Sequence, residues 1–217
     1  MDWKMFSGLI TEVGEISQKH AKNVFLEREC GFVIRVSWLK KNYFKSSLGD
    51  SVSVNGVCLT ITKKTLFYFE ADVSAETMSI TTGLDSVGKA NLEFSLKMGD
   101  KIGGHMVSGH VDGVAKVTEV KKISESKYFL FSTNIKFLPM IQKKGSVALN
   151  GVSLTVNSVE ERDGFCFFSI NLIPYTLEHT NLGMLSSGSL VNLELDSLVK
   201  IVDQILSNRD NNKKLEL

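Results

Sequence analysis

Two nine-residue stretches carry hydroxyls and a thiol in one rhythm: VNGVCLTIT at 54–62 and LNGVSLTVN at 149–157. In the first, Cys58, Thr60 and Thr62 alternate with Val57, Leu59 and Ile61. In the second, Ser153, Thr155 and Asn157 alternate with Val152, Leu154 and Val156. A period of two is that of a β-strand, whose side chains point to opposite faces. If the apolar rows fill a core, the polar rows face outward. Such a row is either an ordinary solvated strand or the wall of a shallow cleft whose hydroxyls bind another hydroxyl-rich molecule. A third stretch, GGHMVSGHVDG at 103–113, holds two of the four histidines, His105 and His110. Metal binding fits it poorly. The two rings fall on opposite sides of a strand, and no nearby cysteine or carboxylate pattern completes a tetrahedral set. His110 suits proton transfer, because an imidazole titrates near pH 6.5; the alternative is a structural hydrogen bond. Dinucleotide, phosphate-loop and nucleophile-elbow motifs are missing, and GDKIGGH lacks the lysine and helix of a phosphate loop.

The elements that position these residues come in two sets. MFSGLITEVGEI, from Met5, recurs as MVSGHVDGVAKV, from Met106, an offset of 101 residues. The Asn-Gly blocks start at Asn55 and Asn150, an offset of 95. ETMSITTGL at Glu76 matches YTLEHTNLG at Tyr175, and the NLE blocks begin at Asn91 and Asn192, offsets of 99 and 101. Four blocks in one order mark an internal duplication, roughly 1–98 and 99–197, followed by a tail. Strands are expected at SVSV 51–54, KYFLFST 127–133, FCFFSINLI 165–173 and LVNLEL 190–195. Gly-Asp, Asn-Gly and Asp-Gly pairs punctuate them. Many short strands at this spacing predict two consecutive small antiparallel barrels. In the tail, Leu198, Val199, Ile201, Val202, Ile205 and Leu206 fall at helical spacing, with Asp196 or Ser197 as the N-cap. That helix lies either on its own barrel or against copies of itself.

Composition excludes several classes. A formal net charge of +1 offers no field for nucleic acid or acidic lipid. No apolar run approaches the roughly 20 residues of a membrane helix. The N-terminal MDWKMFSGLI lacks the basic and apolar regions of a signal peptide. Cys30, Cys58 and Cys166 are odd in number and widely spaced, which favours free thiols in a reducing, cytoplasmic compartment.

MFSGLI, VNGVCLT, GGHMVSGHVDG, NGVSLTV and LIPYTLEHTNLG, in this order, resemble the riboflavin synthase family from Met5 to about Asp196. The resemblance implies an all-β fold of two six-stranded Greek-key barrels, with a C-terminal helix over 198–217 that builds a homotrimer. It implies a transferase reaction. One 6,7-dimethyl-8-ribityllumazine donates a four-carbon unit to another, giving riboflavin and 5-amino-6-ribitylamino-uracil without metal, redox cofactor or nucleotide. The active site would lie between the N-terminal barrel of one subunit and the C-terminal barrel of the next. Association with lumazine synthase is a further partner it raises, whereas nucleic acid and membrane are not expected.

Carried over by motif, the N-barrel site comprises Gly8, Leu9 and Ile10, then Ser51, then Cys58, Leu59 and Thr60, and the run Asp72, Val73, Ser74, Ala75, Glu76 and Thr77. The C-barrel site comprises Gly109, His110 and Val111, then Lys144, then Ser153, Leu154 and Thr155, and the run Leu172, Ile173, Pro174, Tyr175, Thr176 and Leu177. Phe6, Cys58, His110, Ser153, Thr155 and Asp196 match positions that the family associates with catalysis. Three departures stand out: Met1 to Lys4 precede the usual Met-Phe start, Ala75 replaces a common proline, and Asn150 a common aspartate. Two identical substrates that play unlike parts need two similar but inequivalent pockets. The asymmetry suggests the Cys58 pocket for the acceptor and a pocket with Ser153 and His110 for the donor. The rival is a non-catalytic lumazine or flavin carrier on the same duplicated fold.

Overall fold

The computed structural model describes residues 5–21 and 31–215, without the side chains of 18–21 and 210–215. Cys30 and Met1 to Lys4 lie outside the described residues.

The first half folds as β1 (Glu12–Ala21), β2 (Phe32–Ser37), α1 (Lys40–Lys45), β3 (Ser51–Val54), β4 (Val57–Lys64), β5 (Tyr68–Val73), α2 (Ala75–Ile80) and β6 (Gly88–Phe94). Its strands close into a barrel in the order β1-β2-β5-β4-β3-β6, all antiparallel. β3, β4 and β5 form a meander and β2 returns beside β5, a Greek key. The second half repeats this with β7 (Gly113–Ile123), β8 (Ser126–Asn134), a 3-10 turn (Ile135–Met140), β9 (Ser146–Leu149), β10 (Val152–Thr155), β11 (Ser158–Arg162), β12 (Phe165–Leu172), α3 (Pro174–His179), a second 3-10 turn (Asn181–Met184) and β13 (Leu190–Leu195). One strand has become two. β10 and β11 together match β4, and they form the two edges of a seven-stranded curled sheet. β4 carries a bulge between Ile61 and Lys63 where its counterpart breaks. At the break the Val156 N–H donates to Gly145 and the Asn157 N–H to Ser169, so neither backbone donor is orphaned.

Each barrel has its own core. Ile34, Val36, Phe69 and Leu92 fill the first; Phe129, Phe131, Phe168 and Leu193 fill the second. The alternation expected for β4 holds: Val57, Leu59 and Ile61 are buried, Cys58 is half-buried, and Thr60 and Thr62 are exposed. β10 follows the same rule less sharply, with Val152 buried, Leu154 half-buried and Thr155 exposed.

The barrels meet across a pseudo-twofold seam. The Asn55-Gly56 and Asn150-Gly151 turns, with positive φ at all four residues, touch back to back across it. Five buried asparagines stitch the seam. Asn55 Oδ1 accepts from Asn91 N and Asn150 Oδ1 from Asn192 N, while the Asn91 and Asn192 amides donate across to the Asn150 and Asn55 carbonyls. Asn181 joins them, donating from its backbone N–H to Asn91 Oδ1 and from its amide to Asn55 Oδ1. On the seam Phe6 and Val107 pair as a two-residue antiparallel bridge.

α4 (Ser197–Leu215) leaves the second barrel. Asp196 caps it, its Oδ1 accepting the Leu198 N–H at 2.9 Å, and Lys200 binds Asp112 at 3.0 Å. Within this chain Leu198, Ile201, Val202, Ile205 and Leu206 remain 54–65% exposed, so the apolar stripe of the helix is not covered by its own barrel. No described helix is long and apolar enough to cross a membrane.

Candidate functional site

Strands β4 and β10 each offer the outward polar row expected from the sequence, and each row meets a glycine-centred segment. The partnership is crossed. The Cys58 N–H donates to the Gly109 carbonyl at 2.8 Å, and the Ser153 N–H to the Gly8 carbonyl at 2.8 Å. A Cβ on Gly8 would lie 2.5 Å from the Ser153 Cβ, and one on Gly109 2.5 Å from the Cys58 Cβ. Both glycines have positive φ, +73° and +78°, so neither position admits a side chain. The apolar neighbours follow. Val111, 8% exposed, belongs to the first barrel's core, and Ile10 packs on the second's. Full burial of a side chain such as Val111 stabilises by about 1.5–3 kcal/mol.

The grouping expected from motif order is therefore corrected. Gly8, Leu9 and Ile10 complete the half-site of Ser153, Leu154 and Thr155; Gly109, His110 and Val111 complete that of Cys58, Leu59 and Thr60. The expected pocket joining His110 to Ser153 within one barrel is not formed: the backbone beside His110 docks on Cys58. The cause is the Phe6–Val107 bridge, which holds the two segments side by side on the seam and carries each past its own barrel to the other.

The other expected residues border the same strands. Ser51 stands opposite Thr60, its Oγ buried with no hydrogen-bond partner. The register that sets Ala71 against Ile61 brings Asp72 and Val73 toward Leu59. Ser74 caps α2, accepting the Thr77 N–H at 3.1 Å, so Ala75, Glu76 and Thr77 form its first turn. Likewise Ser158 opposite Ser169 brings Leu172 toward Thr155, and Ile173 precedes the first turn of α3, formed by Pro174, Tyr175, Thr176 and Leu177. The Lys144 N–H donates to the Val156 carbonyl, next to Thr155. Phe6 is a second correction. It has 0% exposure and packs with Val107 and Ala148, so its ring has no surface for a ligand and its place is structural. Cys166 is also buried, in the second core, where burial pushes its thiol up to about 11 and leaves it no nucleophile.

Three residues beyond those expectations hold the site. Glu93 accepts the Ser7 N–H and O–H at 2.6 and 2.7 Å and the Gly8 N–H at 3.0 Å. Glu194 does the same for Ser108 and Gly109 at 2.6, 2.7 and 3.0 Å. Each carboxylate fixes one glycine segment, and burial raises the pKa of both, against the hydrogen bonds that lower it. The signal was present: both glutamates sit inside the repeated NLE blocks, in otherwise buried strands. The third is His105, whose Nδ1 lies 2.7 Å from Ser153 Oγ. It follows Gly103 and Gly104. A Cβ on Gly104 would come within 2.2 Å of the Ser7 carbonyl and 2.8 Å of Ser153 Oγ, so only glycine lets the chain pass there. Burial lowers the His105 pKa, and the nearby Asp196 charge opposes that shift. A cavity of about 500 Å³ adjoins the Gly8 segment, walled by Ser7, Leu9 and Glu93 and by Lys41, Lys45, Lys97 and Lys101.

Comparison with known proteins gives one consistent answer. The profile described as the lumazine binding domain matches twice, at residues 7–95 and 108–196. Riboflavin synthase of Actinobacillus pleuropneumoniae is 37% identical over 204 residues, 93% of this chain and 90% of the relative. That of Chlamydia pneumoniae is 39% identical over 91% of this chain and 92% of its own length, and that of Bacillus subtilis 35% over 96% and 93%. Among solved structures, LumP complexed with riboflavin superposes with a TM-score of 0.71 at 25% identity, covering 87% of this chain and 97% of LumP. LumP complexed with 6,7-dimethyl-8-(1'-D-ribityl) lumazine gives 0.70 at 24% identity, over 86% and 97%, and speaks to the fold alone.

Proposed function

Because the chain belongs to the riboflavin synthase family, we propose that it is itself a riboflavin synthase. It transfers a four-carbon unit between two molecules of 6,7-dimethyl-8-ribityllumazine to give riboflavin and 5-amino-6-ribitylamino-uracil, the last step of riboflavin biosynthesis. One observation carries the reading: both repeats keep a complete half-site, a polar strand capped by a glycine segment. A carrier needs one pocket, whereas a reaction between two copies of one substrate needs two. Holding two rings in contact removes translational and rotational entropy that otherwise opposes their meeting, worth about 7–11 kcal/mol in favourable cases. The outward hydroxyls of Thr60, Ser153 and Thr155 suit a ribityl chain. The substrate's C7 methyl is acidic because its anion delocalises into the ring, so an imidazole or a hydroxyl relay suffices as base.

The barrels over 1–98 and 99–197 supply the half-sites, and 198–217 joins three subunits, so that a Cys58 half-site of one faces a Ser153 half-site of the next. The uncovered stripe of α4 supports that assembly. We place the enzyme in the cytoplasm, with a lumazine synthase shell as a possible host. The test is incubation of the purified protein with the lumazine alone. Riboflavin absorbance is expected to rise over many turnovers with nothing else added. Stoichiometric binding without product refutes the enzyme and identifies a carrier.

A further inference from the structure

We propose that Ser153 and His105 act as a hydrogen-bonded pair in one half-site, with Ser153 touching the substrate and His105 positioning its hydroxyl and receiving its proton. The inference rests on the synthase reading and adds to it a residue that the motifs did not select.

Four observations converge. Ser153 Oγ and His105 Nδ1 are 2.7 Å apart. Ser153 is half-buried on the outward row of β10, and His105 is half-buried beside it. His105 Nε2 is buried with no hydrogen-bond partner. Whichever nitrogen carries the proton, this atom is left unsatisfied, a cost that a purely structural histidine has no reason to bear. Finally, the Asp196 carboxylate lies near enough to favour the charged ring. The arrangement brings a hydroxyl and an imidazole into contact, with a carboxylate charge acting on the ring, and such a pairing serves hydroxyl activation.

In the other half-site a thiol, Cys58, stands at the position of Ser153. The two half-sites thus differ in the side chain at this position, as the unlike roles of donor and acceptor require.

The proton accounting closes. The neutral ring holds its proton on Nε2, and its Nδ1 lone pair accepts the Ser153 O–H. As a C7 methyl C–H bond breaks, that proton bonds to Ser153 Oγ while the hydroxyl proton passes to Nδ1. The electron pair stays in the lumazine ring system, and the imidazolium is balanced by Asp196. The proton later goes to an amine nitrogen exposed when the four-carbon unit leaves the donor.

His105→Asn keeps a hydrogen-bonding group near Ser153 but cannot take up a proton. Its kcat is expected to fall at least 100-fold, within the range for a lost general base, with lumazine Kd within threefold of wild type and the acid limb of the kcat–pH profile gone. Ser153→Ala is expected to match it, and the double variant to be no slower than either, because the two act as a unit. A kcat within threefold of wild type for either variant overturns the pair, as do losses that multiply in the double variant. Ser153→Ala alone decides the matter if His105→Asn does not fold. A wild type that makes no riboflavin overturns the synthase reading and the pair with it; an active wild type with unaffected variants overturns the pair alone.

Discussion

Ser153 and Cys58 occupy matching positions, yet a hydroxyl donates and accepts strong hydrogen bonds where a thiol does both weakly. The Ser153 hydroxyl has an imidazole at 2.7 Å. Burial holds His105 below its ordinary value of 6.5, so the fold favours the neutral ring. That share of stability is full above about pH 6.5 and is lost as pH falls through the lower folded-state value. Denaturant unfolding of wild type and His105→Asn at pH 7.5, 6.5 and 5.5 is expected to show their difference shrinking with acidity; a constant difference contradicts it. Glu93 and Glu194 run the opposite way. Their raised pKa values make their protonated forms stabilising, a share present below the ordinary 4.5 and lost as pH rises through the folded-state values. Their acceptor role is tested by Glu93→Gln. A single amide oxygen cannot serve three donors, and the new NH2 group opposes one of them, so a loss of about 1–3 kcal/mol is expected by chemical denaturation.

The strands were legible because their chemistry is local. Alternation at 57–62 and 152–156 assigns the buried and outward rows from residue types alone, and the helical spacing after Asp196 gives α4 with its cap. The crossing was not legible. Nothing in MFSGLI or MVSGH says which barrel receives it, since each motif stands directly before its own barrel and only the Phe6–Val107 bridge decides. The split of β4's counterpart into β10 and β11 escaped for the same reason, as it depends on which carbonyls lie opposite Val156 and Asn157. A catalytic role for Phe6 is what the family resemblance implies, whereas its depth in the seam is a tertiary fact. The glycine segments are the elements to probe. Gly109→Ala places a methyl 2.5 Å from the Cys58 Cβ at a φ of +78°. A cost of about 1–3 kcal/mol for the strained backbone alone is expected. The melting temperature should drop, and lumazine binding at the Cys58 half-site should weaken more than at the Ser153 half-site, as isothermal titration can resolve.

At the scale of the whole molecule, α4 and the seam do different work. The stripe of Leu198, Ile201, Val202, Ile205 and Leu206 is the largest apolar feature of the tail left uncovered. Ile201→Glu with Ile205→Glu is expected to convert the proposed trimer to monomers by sedimentation and to abolish turnover, while the far-UV spectrum of the barrels is unchanged; a variant that stays trimeric removes α4 from the interface. The seam, by contrast, relates two similar bodies by an approximate rotation, with each body's leading segment seated in the other. A polypeptide ending after the first barrel would keep Phe6–Ile10 but lose the Gly109–Val111 segment that covers Cys58 and completes its core. Two such half-chains can repair each other. The leading segment of one, matching Gly109–Val111 in the repeat, can dock on the Cys58 strand of the other, turning the approximate axis into a true one. In that light the chain is a covalently fused homodimer. The linker at 95–107 freed the two copies to diverge, and one consequence is that a serine and a histidine could arise on one side of the axis without appearing on the other.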